Sequence, residues 1–235
     1  MKTVALIQCR TGSSRLPGKV LLEICGKPVL AHLVERVQRA TGLDEIVLAT
    51  STEKGDDAIE KLGATLGVSV FRGSEQDVLG RLSDAAKAHS ADRVIQLWGD
   101  SPLIDPAVIE HVLSYCPKTF SKGGTVGASN WKTGYPAGIE LHAYLIEALL
   151  ESEREAKANT WRENAGLYIR EKSDQFPLAL VEPEEGLRHP EIRLLLDVPE
   201  DFVALKSLFE HFYPSKPTFD VFDIVEYFLA RAEVS

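Results

Sequence analysis

Short apolar runs alternate with helical patterns through the first half of the chain, and that rhythm leaves few folds open. "VALIQ" (4–8) is too brief for a helix and reads as a strand. From Val29 the apolar residues Val29, Leu30, Leu33, Val34, Val37 and Ala40 recur at helical spacing, and Gly42 ends the run. "EIVLAT" (45–50) reads as a second strand, 56–66 as a helix closed by Gly67, and "VSVF" (68–71) as a third strand. Residues 74–89 read as a helix capped by Ser74, and "RVIQLWGD" (93–100) as a fourth strand running into a turn. Alternation at this pace predicts an α/β fold with a parallel, doubly wound sheet. Ligands of such sheets sit beyond the carboxyl ends of the strands, where the 9–19 loop and Gly99-Asp100 fall.

The rhythm changes after about residue 117. A Gly-rich stretch (122–138) surrounds a strand expected at 125–129, and "IELHAY" (139–144) starts another. Residues 144–172 read as helical with a break near Asn159-Thr160. "EIRLLLD" (191–197) reads as an apolar strand ending on a carboxylate, and Pro199–Phe212 as a helix. There is no repeat and no low-complexity linker, so 1–235 is expected to be one domain, with 120–185 an excursion from its sheet. The plainer reading is that this excursion merely covers the sheet.

The net charge of −9 argues against a general nucleic-acid-binding surface, which is usually basic. Any anion site must be local, and Arg10, Arg15 and Lys19 stand out against the acidic background. The three cysteines, Cys9, Cys25 and Cys116, have no C-x-x-C spacing, which fits buried structural thiols in a reducing compartment. The N-terminus enters a strand without a signal-peptide pattern, and no apolar stretch approaches the roughly 18 residues of a spanning helix. The expected location is cytoplasmic, with no membrane partner.

The loop "QCRTGSSRLPGKVL" (8–21) has the ingredients of a phosphate cradle but is not a P-loop. Five residues separate Gly12 from Gly18 where that motif has four, and Val20 stands where it needs a Mg²⁺-binding hydroxyl. Gly12 and the serines still allow several N–H groups to approach an anion, with Arg15 suited to forked phosphate contacts and Lys19 to a point charge. Pro17-Gly18 predicts a turn that swings Lys19 back toward the loop. The bland alternative is a surface turn with solvated basic residues. Asp100, after a strand and beside Gly99, and Asp197, at the end of "LLLD", can share one Mg²⁺ if their strands are adjacent. For Asp197 alone an N-cap is the competing reading. Asp105 fits a turn or cap better, and Glu200 and Asp201 suit a helix's first turn without any further role.

Taken in order, "LIQCRTGSSRLPGKVLLEICGKPVLAHLVERV", "IVLATST", "VFRGSEQDVLGRL", "LWGDSPLIDP" and "LLLDVPEDF" resemble the cytidylyltransferases that activate acidic sugars. The likeness is closest to the spore-coat polysaccharide biosynthesis group, beside the acylneuraminate and 3-deoxy-manno-octulosonate cytidylyltransferases. The resemblance implies a three-layer, mixed and mostly parallel sheet of the nucleotide-diphospho-sugar transferase (Rossmann-like) type. It implies CMP transfer from CTP to an acidic or phosphorylated sugar, with pyrophosphate released, Mg²⁺ as cofactor and a homodimer as the assembly. The 120–185 excursion becomes acceptor-binding and dimerisation surface. Arg10, Thr11, Gly12, Ser13 and Ser14 would touch base and phosphates, and Arg15 and Lys19 the triphosphate. Arg15, Lys19 and Asp100 would be catalytic, and Asp100 and Asp197 would ligate the metal. Thr50, Ser51, Arg72, Gly73, Ser74 and Arg81 lie in segments that line the nucleotide side in relatives.

The chain departs from the group where the acceptor is expected. A G-x-D-x-E pattern becomes Gly138-Ile139-Glu140-Leu141-His142, Glu-His becomes Glu163-Asn164, and Gly80 replaces an Asp before Arg81. Tyr135, Glu140, His142 and Asn164 are the expected acceptor-binding residues, with His142 titrating near neutrality. Trp98, Trp131, Trp161 and Tyr168 are further aromatics that fit either an acceptor pocket or plain packing. These changes predict an acceptor other than the usual nine-carbon sugar acids, or one bound differently. The competing readings are a nucleotide-sugar-using glycosyltransferase of the same fold, which usually shows Asp-x-Asp where Ser101-Pro102 follow Asp100, and a catalytically idle nucleotide-binding subunit.

Overall fold

The computed structural model describes residues 1–115, 125–128, 130–172 and 174–232, with the backbone alone at 125–127, 130, 131 and 232. The strands are β1 (Thr3–Gln8), β2 (Glu23–Ile24), β3 (Lys27–Pro28), β4 (Glu45–Ser51), β5 (Ser69–Gly73), β6 (Arg93–Trp98), β7 (Thr125–Ala128), β8 (Leu141–Leu145) and β9 (Leu178–Leu180). Seven of them form one sheet in the order β5-β4-β1-β6-β8-β7-β9. β8 alone runs against its neighbours, so the sheet is mixed and mostly parallel, as expected. β2 and β3 form a small hairpin that the sequence reading did not include. Cys25 sits at its turn with φ 49 and is only half-buried, against the expectation of a buried thiol. Cys9 is buried, and Cys116 lies outside the described residues.

Alternation along the strands sends side chains to two cores. From β1, Ala5 and Ile7 enter one cluster while Val4 and Leu6 enter the other. The first cluster takes the apolar faces of α1 (Val29–Val37), α4 (Pro106–Tyr115), α9 (Pro199–Phe212) and α10 (Val221–Ala232). The second takes α3 (Val78–Ala88), α6 (Ile146–Glu155) and α8 (Leu167–Glu171). The remaining helices are α2 (Asp57–Leu66), closed by Gly67 as expected, α5 (Asn130–Thr133) and α7 (Asn159–Glu163). Two helical layers therefore enclose the sheet. α10 and β9 are elements absent from the sequence reading, and 144–172 breaks into three helices rather than two.

Two local expectations change. α3 begins at Val78 with Asp77 as its cap, the Asp77 Oδ1 accepting the Gly80 N–H at 2.9 Å. Ser74 instead accepts the Asp77 N–H at 3.0 Å, so it fixes the turn ahead of the helix. "EIRLLLD" is not a strand. It meets loops, with the Leu194 N–H bonding to Ala137 O and the Leu196 N–H to Asp100 O. Only an isolated bridge, Ala137 to Arg193, forms there. Leu194 and Leu196 are buried, which gives the segment its strand-like sequence without a strand's partners.

Candidate active site

β1 and β6 are parallel neighbours with Gln8 opposite Trp98, so the loops that follow them leave the sheet side by side. Gly99 lies so close to the β1 loop that a Cβ there would come within 2.7 Å of the Cys9 Cβ. After Cys9 the chain loops out and returns through Gly18, whose φ of +70 suits glycine and whose N–H bonds to Thr11 O at 2.9 Å. This closure delivers Lys19 to the sheet's edge, as the Pro17-Gly18 turn predicted.

The buried Lys19 ammonium is held by three oxygens: Asp100 Oδ2 at 2.7 Å, Leu196 O at 2.8 Å and Asp197 Oδ1 at 3.4 Å. Arg15 reaches the same Asp197 Oδ1 at 2.8 Å. The two carboxylates thus converge on one cation although Asp197 ends no strand. The bond from Leu196 N–H to Asp100 O does what strand pairing was expected to do. Asp201 completes the arrangement by accepting the N–H groups of Asp197 at 2.8 Å and Val198 at 3.1 Å, while Arg193 grips it through two nitrogens. The hydrogen bond from Arg193 is the main reason the Asp201 pKa lies below the ordinary value, against the opposing effect of burial. Asp201 therefore does more than decorate a helix's first turn: it fixes the backbone that presents Asp197.

Around Lys19 opens a cavity of about 360 Å³ whose lining includes Arg10, the 12–15 stretch, Arg81, Gly99 and Asp100. Of the expected nucleotide residues, Arg10, Gly12, Ser13, Ser14, Arg15, Lys19 and Arg81 line it. Arg81 is buried, and burial lowers its pKa; its Nη1 donates to Ser74 O at 2.6 Å, and its Nε has no partner. Thr11, Thr50 and Ser51 do not line the cavity and are all bonded to the buried Asp56. Burial pushes the Asp56 pKa up, but the hydrogen bonds from Ser51, Thr11 and Thr50 together outweigh it and the net shift is downward. Asp56 anchors the loop, yet in sequence it is only an acidic residue at a helix start. Arg72 is also off the cavity, engaged by Ser51 O, Glu53 O, Asp57 and Glu60. Gly73 and Ser74 likewise do not line this cavity, and Ser74 shapes the turn into α3.

A second cavity of about 330 Å³ shares Trp98 and Asp100 with the first. Glu140 and His142 line it, together with Lys132 and Arg170, which sequence reasoning missed. Two expected acceptor residues lie elsewhere. Tyr135 is fully buried in the first core, its hydroxyl donating to Glu182 O at 3.3 Å, and Asn164 lines the first cavity. His142 does not titrate near neutrality: burial, with Arg170 and Lys132 nearby, lowers its pKa to about 3. Trp161 and Tyr168 pack against each other at 5.0 Å outside both cavities, and the Trp131 side chain lies outside the described residues.

A family model described as cytidylyltransferase matches residues 4–218. The chain is 32% identical over 210 residues to the spore coat polysaccharide biosynthesis protein SpsF of Bacillus subtilis, covering 87% of this chain and 85% of that protein. It is 35% identical over 114 residues to the 3-deoxy-manno-octulosonate cytidylyltransferase of Geobacter metallireducens, which is 48% of this chain and 44% of the relative. Among solved structures, a cytidylyltransferase from Leptospira borgpetersenii superposes with a TM-score of 0.91 at 28% identity, over 100% of this chain and 96% of the other.

Proposed function

Because the chain belongs to the cytidylyltransferase family, we propose that it transfers CMP from CTP to a small sugar carrying a carboxylate or phosphate, with release of pyrophosphate and the help of Mg²⁺. The observation that carries this reading is the Lys19 ammonium between Asp100 and Asp197, because a cation already fits there. Two carboxylates facing a cavity are a donor set that Mg²⁺ accepts alongside phosphate oxygens and water. Asp100 and Asp197 would hold the ion, which when bound supplies positive charge at the reacting phosphate.

The chain's own groups do the positioning. Arg15 and Lys19 would take triphosphate oxygens, the first by forked contacts and the second as a point charge. Arg81 brings a buried cation with a nitrogen still open to a ligand. The acceptor oxygen attacks the α-phosphorus in line; the new P–O bond forms as the bond toward the β-phosphate breaks, and pyrophosphate carries off the charge. Asp100 stands where the two cavities meet, so a nucleotide in the first and an acceptor in the second would react beside it.

The relative SpsF supports a role in surface polysaccharide synthesis, and the octulosonate relative supports an acidic acceptor. Among the described residues no helix is long and apolar enough to cross a membrane. A cytoplasmic homodimer is part of the same reading, and sedimentation analysis tests the assembly. Calorimetry tests the site: Mg²⁺ should tighten CTP binding to the wild type, and Asp100→Asn or Asp197→Asn should abolish that gain while leaving the fold intact. A gain that survives in both variants would remove the carboxylates from the metal site.

A further inference from the structure

Alternation along β1 puts Gln8 on the face of Val4 and Leu6, where it meets Gln96 of β6. Gln96 is buried, and both ends of its carboxamide are engaged. Its Nε2 donates to Ala165 O at 3.1 Å and to Gln8 Oε1 at 2.9 Å, and its Oε1 accepts the Tyr144 hydroxyl at 2.8 Å. A backbone carbonyl only accepts, so Ala165 fixes which end of Gln96 is nitrogen, and Gln96 in turn fixes Gln8. Burial pushes the Tyr144 pKa up to about 12 against the opposing effect of Arg170, so the hydroxyl keeps the proton it donates. The donors therefore all run one way, from Tyr144 through Gln96 to Gln8, and each bond polarises the next. The 164–166 segment closes tightly on this chain: a Cβ at Gly166 would lie 2.1 Å from the Tyr144 hydroxyl and 2.9 Å from Gln96 Oε1. At Gln8 the chain ends with the oxygen spent and the NH₂ unspent. Gln8 Nε2 has no hydrogen-bond partner among the described residues, yet it is not one of the atoms buried without a partner, so it reaches solvent. Gln8 lines the first cavity, and β4 and β6 flank β1 on either side, which leaves that cavity as the outlet.

Resting on the cytidylyltransferase reading, we propose that Gln8 is a specificity-determining residue. It donates to an uncharged oxygen or ring nitrogen of the ligand in the first cavity, and Tyr144 and Gln96 lock it in that orientation. The cations of that cavity, Arg10, Arg15, Lys19 and Arg81, answer phosphate charge, whereas a carboxamide answers the part of the ligand that carries none. With its oxygen taken by Gln96, Gln8 does not accept, so it selects against a ligand N–H at that point. The partner atom belongs either to the nucleoside or to the sugar that meets it at Asp100, and the order of additions separates the two sources.

The test is side-chain amide NMR of the ¹⁵N-labelled protein with Ca²⁺ in place of Mg²⁺, the Gln8 pair being assigned by its loss in Gln8→Met. In the free protein the Gln96 amide protons should exchange slowly with water and those of Gln8 fast. CTP is added first, and then glucuronate, N-acetylneuraminate or glucose 1-phosphate to the CTP complex. Slowed exchange of the Gln8 pair on adding CTP assigns the contact to the nucleoside, and slowing only after a sugar assigns it to the sugar. Inorganic triphosphate, which offers charged oxygens alone, should not slow it. By calorimetry Gln8→Met, which leaves Gln96 on Ala165 O, should weaken the protecting ligand by about 2- to 10-fold, the worth of one neutral hydrogen bond. Gln96→Glu, which replaces the donor facing Gln8 by an acceptor, should turn the Gln8 amide round and weaken the same ligand at least as much. No slowing in any arm, slowing by inorganic triphosphate as strong as by CTP, or Gln8→Met binding like the wild type would each overturn the assignment. CTP affinity is measured first: a wild type that fails to bind CTP refutes the parent reading, whereas normal CTP binding with the Gln8 pair unprotected in every arm refutes only the role of Gln8.

Discussion

His142 should make the protein lose stability on mild acidification. In the folded chain its pKa is lowered to about 3 by burial, with Arg170 and Lys132 adding to the effect. In the unfolded chain an imidazole titrates near pH 6.5. Between those values the unfolded state binds a proton that the folded state refuses, so stability contributed by the neutral ring is present above about pH 6.5 and declines below it. At pH 5 the folded ring is still neutral, so the loss is set by the unfolded state and comes to about 2 kcal/mol relative to pH 7. Replacing the ring by an uncharged group, His142→Gln, removes this titration and leaves the other groups alone. Urea unfolding of both proteins at pH 7 and pH 5 is the assay. The wild type's advantage over the variant should shrink by about 2 kcal/mol at the lower pH. A gap that stays constant would mean that the ring takes up protons equally in both states, and that the second cavity holds a charge rather than a neutral hydrogen-bond partner.

Three further outcomes are expected. Lys19→Met should raise the affinity for Mn²⁺ in the absence of nucleotide, measured by electron paramagnetic resonance, because the ammonium now sits between Asp100 and Asp197; unchanged affinity would show that these carboxylates do not bind the ion. Asp56→Asn should destabilise the fold by about 2–4 kcal/mol and raise the KM for CTP more than it lowers kcat, because the carboxylate accepts five hydrogen bonds from Thr11, Thr50 and Ser51. Equal stability in chemical denaturation would refute its role as the loop's anchor. Gly99→Ala should cost about 1–3 kcal/mol in the same assay, since the added Cβ would lie 2.7 Å from the Cys9 Cβ and both elements would have to shift.

What could be read in the sequence was what local pattern decides. The β1–β6 half followed from alternation of periods, and the Gly18 turn and the placing of Asp100 followed with it. The second half was harder because its contacts are long-range. "EIRLLLD" carries a strand's apolar pattern but meets loops, so pattern and pairing part company. Arg170 and Lys132 sit on short helices where a basic residue looks solvated, and only the folded chain brings them to one cavity. Tyr135 and His142 were misjudged for the same reason: burial decides whether a polar ring is a ligand, a core residue or a titrating group, and burial is a property of the tertiary structure.

The claim at the centre of this account is that the β1 and β6 loops form a cytidylyl-transfer site. Pyrophosphate release by the purified protein tests it most directly, run with Mg²⁺ and each of CTP, UTP, ATP and GTP across a panel of sugar acids and sugar phosphates. The account predicts release from CTP with at least one of these acceptors, in step with a CMP-linked product seen by mass spectrometry, and its loss in Asp100→Asn. Release from another nucleotide in preference to CTP, or undiminished release by Asp100→Asn, would contradict it.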